Sequence, residues 1–429
     1  ATLPDSTSGY QITTDSGDQE FYDTHGKLVF AKRRGAAQHL SFEYNSDRQL
    51  DRIVGPFGTR DLDLTYWDDG KLKTLTDPEG NVFTYHYTNH NLTSVVVTYD
   101  SGGGTTRTYG YGTGALASHL QSITDENSDD YATWTYDTAG RVTSSKHGGS
   151  LNAEHYTFDY TTTPGSTSTI VTGPKSLSRT YTFTEILGVR HPDTVTGDRC
   201  ADCGGQFADV DYDTSGFPVR QVDFEGNITL LTHNTYGLET CRVEGIPAYE
   251  APADAFAYRR IDTVWDTSLR AITNRKIYAL NQKPPETAPA TCAAAQDLTW
   301  SLVQTTKNTW TSGRLELVEV TDETASPTVT RTTDYSYYGA SDPDGPEGYL
   351  KTIDWPRSGI ADTTAFKYST TTGDLTSVTD PSGHEIQITA YDEHGRPETV
   401  YDVDNGVTST FTWHPRGWLR TRTVAGKTW

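Results

Sequence analysis

Residues Tyr136-Asp137-Thr138-Ala139-Gly140-Arg141-Val142 form a phrase that recurs along this chain. The phrase contains an aromatic residue, Asp or Asn, two polar residues, Gly, a basic residue and an aliphatic residue. Aromatic openings at positions 22, 44, 66 and 87 are spaced by 22, 22 and 21 residues. The clearest copies place their defining residues at Tyr22, Asp23 and Gly26, at Tyr136, Asp137, Gly140 and Arg141, at Tyr212, Asp213 and Gly216, and at Tyr391, Asp392, Gly395 and Arg396. Self-similarity at one fixed period predicts a repeat architecture.

A second phrase lies between these openings. It reads Asp77-Pro78-Glu79-Gly80-Asn81, with further copies at Asp223–Asn227 and Asp380–His384, the latter with Asp380 and Gly383 in the matching positions. Asp caps the amides of a turn, Pro presets φ at the second position, and Gly accepts the positive φ that closes a hairpin. Each repeat is therefore predicted to contain two turns.

The segments between the turns have the alternation of short strands. Leu72–Thr76 and Val82–Tyr87 place successive side chains on opposite faces. Thr, Gly and β-branched residues interrupt every window that could form a helix, so no helix is predicted. We predict an all-β fold of antiparallel hairpin repeats of about 22 residues. Tyr44 and Tyr87 open weaker copies that lack the Gly.

The composition narrows the possible function classes. With 35 basic and 57 acidic residues, the formal net charge is −22, which repels a phosphate backbone and excludes nucleic acid as a partner. Hydrophobic residues make up only 34% of the chain, but aromatic residues make up 11%, which argues against disorder. No run of about 18 apolar residues is present, so no membrane span is predicted. No signal peptide is recognisable in this chain.

A 22-residue repeat built on Tyr-Asp-x-x-Gly-Arg and alternating with Asp-Pro-x-Gly-Asn resembles the YD-repeat or Rhs family. The resemblance covers residues 20–145 and 365–429, and part of 200–240. It implies a β-sheet that spirals into a shell- or barrel-like cocoon. In bacterial Rhs toxins and in the related teneurins, such shells enclose a cargo or present an adhesive surface. The self-cleaving core segment that ends many Rhs shells is not recognisable before Trp429, so the resemblance implies a shell segment.

The rhythm of the repeat divides the chain into four parts of one continuous repeat domain. Residues 1–150 carry N-terminal repeats, 151–242 carry degenerate repeats, and 298–429 carry C-terminal repeats. Residues 243–297 contain Ala-rich and Pro-rich pieces that break the rhythm. We predict that this last range is an insertion on one hairpin.

The four cysteines are Cys200, Cys203, Cys241 and Cys292. An even count in an extracellular chain favours disulfides, although four cysteines allow three pairings. A bond between Cys241 and Cys292 would close the base of the predicted insertion and stabilise the fold by about 4 kcal/mol. Cys200 and Cys203 would then form a local bridge or stay reduced. A four-cysteine zinc site and free thiols are the alternatives.

Two acidic segments, Asp342–Glu347 and Asp125–Asp130, hold oxygen ligands at short spacing. Neither completes the EF-hand pattern, so we predict solvated loops, with calcium as the alternative and no other cofactor. No nucleophile elbow, zinc-protease motif or phosphate-binding loop is present, which favours a protein without catalytic activity.

The leading hypothesis is a non-enzymatic, secreted or cell-surface scaffold that forms a shell segment of a larger Rhs-type protein. Its partners would be the rest of a larger polypeptide or an encapsulated cargo. One alternative is an extracellular adhesin or carbohydrate-binding module that recognises surface glycans. A polysaccharide-active enzyme with paired carboxylates is a third. Exposed sheet edges also predict a possible edge-to-edge oligomer.

Overall fold

The computed structural model describes residues 2–148, 153–160, 168–197, 207–246, 258–281, 289–357 and 359–429. Its strands belong to one 34-stranded sheet. In chain order they are β1 (Gly9–Thr13), β2 (Gln19–Asp23), β3 (Leu28–Lys32), β4 (Leu40–Tyr44), β5 (Leu50–Val54), β6 (Leu62–Tyr66), β7 (Leu72–Thr76), β8 (Val82–Thr88), β9 (Asn91–Thr98), β10 (Gly104–Tyr111), β11 (Leu120–Thr124), β12 (Asp130–Tyr136), β13 (Val142–His147), β14 (Ala153–Asp159), β15 (Ser168–Thr172), β16 (Ser178–Ile186), β17 (Val189–Gly197), β18 (Phe207–Tyr212), β19 (Pro218–Asp223), β20 (Ile228–His233), β21 (Glu239–Ile246), β22 (Arg259–Asp266), β23 (Ala271–Leu280), β24 (Trp300–Thr311), β25 (Arg314–Asp322), β26 (Val329–Tyr337), β27 (Leu350–Asp354), β28 (Thr363–Tyr368), β29 (Leu375–Thr379), β30 (Glu385–Tyr391), β31 (Pro397–Asp402), β32 (Val407–Trp413), β33 (Leu419–Val424) and β34 (Lys427–Thr428).

Each strand pairs antiparallel with the strand before it and the strand after it, so the sheet is one continuous meander. The same pattern continues through β34, and the sheet is not closed by strand pairing. The predicted all-β fold of antiparallel hairpins is therefore confirmed. The strands predicted at Leu72–Thr76 and Val82–Tyr87 are β7 and β8.

The turns form two rows, one along each long edge of this ribbon. All copies of the Tyr-Asp-x-x-Gly-Arg phrase lie on turns that join an even-numbered strand to the next odd-numbered strand, and we call every turn of this kind a first-phrase turn. All copies of the Asp-Pro-x-Gly-Asn phrase lie on turns that join an odd-numbered strand to the next even-numbered strand, and we call every turn of this kind a second-phrase turn. Antiparallel pairing places all turns of one kind on the same edge.

The sheet is mostly a single layer. Its accessible surface is 24586 Å², whereas a compact monomer of 47.3 kDa would expose about 16,000 Å². Both faces of most strands are therefore partly exposed to solvent, and few side chains are buried. A hydrophobic share of 34% suits this architecture, because a single layer has little interior to fill.

The sheet is thickened at one place, which we call the helix-capped segment (residues 228–300, apart from those outside the described ranges). There a short helix, α1 (Cys292–Gln296), lies against β20 and β21. The buried residues that form one hydrophobic cluster there are Ile228, Leu230, Cys241, Val243, Ile246, Tyr258, Cys292 and Ala295. A disulfide joins Cys241 to Cys292, with the two Cα atoms 6.3 Å apart.

Two features of this segment differ from the sequence predictions. No helix was predicted, yet α1 forms because Thr291 caps it, accepting a hydrogen bond from Ala294 N at 3.1 Å. A five-residue helix depends on such tertiary support, since its nucleation is unfavourable. The range 243–297 was predicted as an insertion, yet β22 and β23 within it pair with β21 and β24 and continue the sheet.

Candidate functional site

The first phrase forms a tight turn that its Asp holds together. In the copy at Tyr391, Gly395 N donates to Asp392 O at 2.9 Å. Asp392 Oδ1 also accepts from His394 N at 3.0 Å and from Arg396 N at 2.8 Å. Gly395 has φ of 81°, a left-handed conformation that closes a three-residue hairpin loop. The strand register shifts at Tyr391, as expected for a bulge next to this loop.

The same geometry recurs in both phrases. Asp–Gly pairs that close the turn by Gly N donating to Asp O are Asp23–Gly26, Asp77–Gly80, Asp137–Gly140, Asp213–Gly216 and Asp380–Gly383. The backbone N–H of Lys27 lowers the pKa of Asp23 by bonding its carboxylate. The copy opened by Tyr44 lacks the Gly, and Arg48 takes the left-handed conformation there instead, with φ of 63°.

The opening aromatic residue of several repeats bonds to the repeat before it. Tyr44, Tyr66 and Tyr136 donate their hydroxyl hydrogens to the carbonyl oxygens of residues 16 positions earlier, at 2.8, 2.6 and 2.6 Å. Trp413 Nε1 makes the equivalent bond to Pro397 O at 2.9 Å. Partial burial raises the pKa of the Tyr66 hydroxyl. The aromatic residue of the phrase therefore links consecutive hairpins.

The basic residue of the phrase also acts on the next repeat. The Arg141 guanidinium lies 4.5 Å from the ring centre of Tyr160, and Lys27 Nζ lies 5.1 Å from that of Tyr44. These distances are within the range of cation–π attraction. Arg141 Nε also donates to Asp137 Oδ2 at 2.8 Å. Asp, Gly and Arg thus close one turn, and Arg positions the aromatic ring of the next.

The two rows of turns meet where the ribbon returns past its own beginning. Second-phrase turns between residues 14 and 126 lie against first-phrase turns between residues 269 and 416. A Cβ placed on Gly17 would lie 2.4 Å from Leu269 O, so the two backbones touch there. We call this line of turn-to-turn contacts the seam. It winds the ribbon into a spiral whose successive windings are joined by turns instead of by strand pairing.

The centre of the seam is an ionic cluster. His394 Nε2 lies 3.0 Å from Asp77 Oδ2, and Arg396 Nη2 donates to Glu79 Oε1 at 2.7 Å. Both pairs join residues 317 positions apart. Arg396 Nε also donates to Asp392 of its own turn. The first-phrase turn therefore contributes the cations and the second-phrase turn the carboxylates.

Further ion pairs extend the seam on both sides. Arg60 Nη2 donates to Asp374 Oδ2 at 2.7 Å, and this bond raises the pKa of Arg60. Arg416 Nη1 lies 3.0 Å from Glu126 Oε2. Arg107 donates to the same Glu126 carboxylate from a neighbouring strand. Glu126 is thus fixed from two sides, although sequence reasoning assigned it to a solvated acidic loop.

Contacts other than ion pairs complete the seam. Arg314 Nε donates to Gly35 O at 2.7 Å. A Cβ on Gly35 would lie 2.8 Å from the carbonyl group of Gly313, so both positions require the absence of a side chain. The rings of Tyr99 and His414 meet edge to face with centres 5.9 Å apart. The seam therefore combines charge, close backbone approach and aromatic contact.

Two groups of side chains among the described residues have metal-ligating composition. Glu79, Asp392 and His394 lie in the seam, where Arg396 already supplies a positive charge. The other group is His384, Asp402 and Asp404, on second-phrase turns outside the seam. In this group, His384 Nε2 lies 2.8 Å from Asp402 Oδ1 and 3.7 Å from Asp404 Oδ2. Hydrogen bonds from the Asn405 side chain and then from His384 lower the pKa of Asp402 to about 2.

The acidic segments considered for calcium have local roles. Asp125 Oδ1 caps a second-phrase turn, accepting from Asn127 N at 2.9 Å and from Asp129 N at 3.0 Å. Asp342 accepts from Gly339 N at 2.7 Å and from Lys351 Nζ at 3.3 Å. Calcium binding at either segment stays a prediction. Cys200 and Cys203 lie outside the described residues.

A family model described as Teneurin YD-shell matches residues 8–235, which is more than half of the chain. The chain belongs to the Teneurin YD-shell family. The resemblance to YD-repeat proteins that the Tyr-Asp-x-x-Gly-Arg phrase indicated is therefore confirmed. In this YD shell, the matched range contains the seam's second-phrase turns, and the first-phrase turns they contact lie beyond it.

Solved structures that match this chain include a chain of the Photorhabdus luminescens Tc holotoxin pore. It is 12% identical, with a TM-score of 0.45, over 95% of this chain and 21% of that one. The crystal structure of TcdB2-TccC3 is 10% identical, with a TM-score of 0.40, over 96% of this chain and 25% of that one. The YD shell described here thus spans a quarter or less of the length of these chains. No curated protein matches it.

Several residues that hold the seam of this YD shell together were not identified from the sequence. Arg60, Asp374 and Arg416 form seam ion pairs, but no local pattern identifies their partners. The basic residue of the first phrase carried a usable signal, because it recurs directly after the turn Gly. Among the described residues, no helix is long and apolar enough to cross a membrane.

Proposed function

We propose that this chain is a non-enzymatic wall segment of a larger secreted or cell-surface protein, whose spiral sheet encloses a cargo. The observation that carries the proposal is the seam. It joins successive windings of a single-layer sheet turn by turn, and a layer wound in this way can separate two spaces. A globular enzyme of this size would instead bury a large interior.

The use of the ionisable groups supports a structural role. Asp77, Glu79, His394 and Arg396 are the densest charged group of the seam, and each has a partner that holds one winding to the next. The first-phrase aspartates are saturated by turn amides, as at Asp392. Groups held in such bonds fix geometry, which is what a wall requires.

Secretion is supported by the disulfide between Cys241 and Cys292, which is buried beneath α1. Disulfides form and persist in oxidising compartments and are rare in the cytosol. Mass spectrometry of the protein isolated from its source under thiol-blocking conditions tests this point. A reduced Cys241 in that material would contradict it.

Size-selective thiol labelling tests the wall. Thr330 and Arg331 are adjacent exposed residues of β26, and their side chains lie on opposite faces of the sheet. Thr330→Cys and Arg331→Cys would be made in the longer polypeptide in which this chain occurs, with the unsubstituted protein as the background control. We expect a small maleimide to label both positions, and a maleimide on a long polymer to label one face only. Equal labelling of both faces by the bulky reagent would reject an enclosing wall.

A further inference from the structure

Each row of turns continues beyond the seam. The first-phrase turns Asp23–Lys27, Trp67–Lys71 and Asp137–Arg141 belong to the winding that starts the spiral, on the edge opposite the seam. The second-phrase turns Asp380–His384 and Asp402–Gly406 belong to the winding that ends it, also on the edge opposite the seam. The spiral therefore has one end edged by first-phrase turns and another edged by second-phrase turns. We call these the first-phrase rim and the second-phrase rim.

The first-phrase rim repeats the chemistry of the seam. Arg141 and Arg396 occupy the same position of the phrase, and each donates through Nε to the Asp of its own turn. Each also stacks on the next aromatic ring, at 4.5 and 5.7 Å. They differ in exposure, because Arg396 is 17% exposed beneath Glu79, whereas Arg141 is 54% exposed. Arg141 thus has the same local geometry as the seam arginine Arg396, but its guanidinium has no turn from another winding packed over it within the described part of the chain.

The second-phrase rim repeats the other half of the seam. In the seam, Asp77–Asn81 is covered by the turn that carries His394 and Arg396. On the rim, Ser382 and Gly383 at the tip of the same kind of turn are exposed. The carboxylates of Asp402 and Asp404 lie beside it. His384, Asn405 and Glu385 N hold these two carboxylates in place. In the seam, the second-phrase carboxylates of Asp77, Glu79 and Glu126 bind guanidinium or imidazole groups, whereas at Arg60 and Asp374 the charges are reversed.

Large apolar side chains are exposed on both rims. Trp355, Ile360 and Val403 lie on second-phrase turns, and Trp67 and Leu187 lie on first-phrase turns. Within the seam, Trp418 is likewise exposed, but other large rings are in contact with another turn. For example, the rings of Phe57 and Tyr349 meet with centres 6.1 Å apart. Exposed apolar groups grouped on one edge mark a surface that another surface covers.

We propose that copies of this chain stack end to end, with the second-phrase rim of one copy seated on the first-phrase rim of the next. A second copy is the occupant because both complementary rims belong to the same chain, and the seam shows that turns of these two kinds fit together. The contact is heterologous, so each added copy presents a fresh rim and growth is open-ended. The inference concerns the chain by itself; in a longer polypeptide of the kind proposed above, the preceding and following windings would occupy the same two rims in the same way.

Sedimentation velocity of the unmodified chain is the first test. We expect the average mass to rise with protein concentration at low salt and to fall as salt is added, because the rims attract partly through charge. A single monomeric boundary at the highest concentration and lowest salt would overturn the proposal. The rims would then be covered by something other than a second copy.

Two rim variants test the mode of contact. Arg141→Glu alters the first-phrase rim, and Asp402→Asn combined with Asp404→Asn alters the second-phrase rim without creating a cation that could attract the new Glu. We expect each variant alone to associate at least about tenfold more weakly, which corresponds to about 1.4 kcal/mol. Arg275→Glu is the matched control, since Arg275 is exposed within β23 and lies on neither rim. Association unchanged in both rim variants would overturn the proposal, and pairing through the free edge of β1 would be the next explanation.

Mixing the two rim variants gives the decisive result. One variant retains an intact second-phrase rim and the other an intact first-phrase rim. These two rims can bind each other, and the altered rims at the two outer ends of the resulting dimer cannot bind a further copy. We expect dimers that contain one copy of each variant, with no larger species. Recovered dimers also show that both variants are folded. A mixture that stays monomeric, or that grows beyond dimers, would overturn the proposed head-to-tail contact.

Discussion

The seam and the helix-capped segment hold distant parts of the chain together by opposite means. The seam joins residues as far as 317 positions apart through partly exposed ions such as Arg396 and Glu79. The helix-capped segment joins α1 to the sheet through buried apolar side chains such as Leu230 and Val243, and through one disulfide. A single-layer sheet cannot build one central core, so it uses each method where the chain supplies the residues.

The difference predicts two kinds of stability. Exposed ion pairs each contribute about 0 to 1 kcal/mol and weaken as salt is added. A buried Leu contributes about 2 to 5 kcal/mol, as judged by its replacement with Ala. We therefore expect the helix-capped segment to unfold as one unit, with a free energy of unfolding that does not depend on salt concentration. We expect the stability of the seam to be the sum of many small ionic contributions, all of which decrease as salt is added.

The largest effect is expected from removing the disulfide. Cys241→Ser with Cys292→Ser releases a cross-link across 51 positions, which lowers the free energy of unfolding of this segment by about 4 kcal/mol in the chain-entropy account. Hydrogen exchange should speed up in β20, β21 and β22, while the amides of the seam turns stay protected. Equal acceleration along the whole chain would show that the two regions unfold together.

The next effect is expected at the seam. Arg396→Ala removes the bonds to Glu79 and Asp392 and should lower the free energy of unfolding by about 2 kcal/mol. Arg141→Ala is the matched control, because it loses the same local bond and stacking but no bond across the seam. The excess of the first change over the second, measured by denaturant unfolding, isolates the seam. This excess should shrink in high salt, and equal effects would refute the comparison.

A smaller effect is expected from the aromatic bridge between hairpins. Tyr136→Phe keeps the ring and loses only the hydrogen bond to Leu120 O. The expected loss is about 1 kcal/mol, and it should not depend on salt, since no ion takes part. Tyr10→Phe, at an exposed ring on β1, serves as the control. If the loss of stability in Tyr136→Phe depended on salt, the hydrogen bond between hairpins would be coupled to the ion pairs of the seam.

The smallest expected effect is on the stability of the protein at low pH. Because the pKa of Asp402 is lowered from 3.8 to about 2, its ionised form favours the folded state. This contribution is complete above pH 4 and disappears as the pH falls through about 2. Asp402→Asn should therefore lower the stability near neutral pH and remove this part of its decline between pH 4 and pH 2, so that the two proteins converge in acid. An identical acid titration for both proteins, followed by circular dichroism, would contradict the assignment.

Prediction from the sequence succeeded where the information was local. The bounds predicted for Leu72–Thr76 are those of β7, because a strand between two turns is limited by the turns themselves. The pairing of Arg60 with Asp374 could not be predicted, since 314 positions separate them and no phrase relates them. Helix α1 was missed for a similar reason. Its five residues are helical because the surface beneath them is apolar and a disulfide fixes them there.

The sequence by itself determined the unit of this protein: a hairpin closed by Asp and Gly, with an aromatic residue and a base that lead into the next hairpin. These features follow from dihedral preferences and hydrogen bonds within about 22 residues, and a charge of −22 is compatible with them because the carboxylates cap turns. Only the tertiary structure decided how the ribbon winds. That depends on the small twist added at every strand, which accumulates until turn Asp77–Asn81 meets Arg396 and one winding of the ribbon lies against the next.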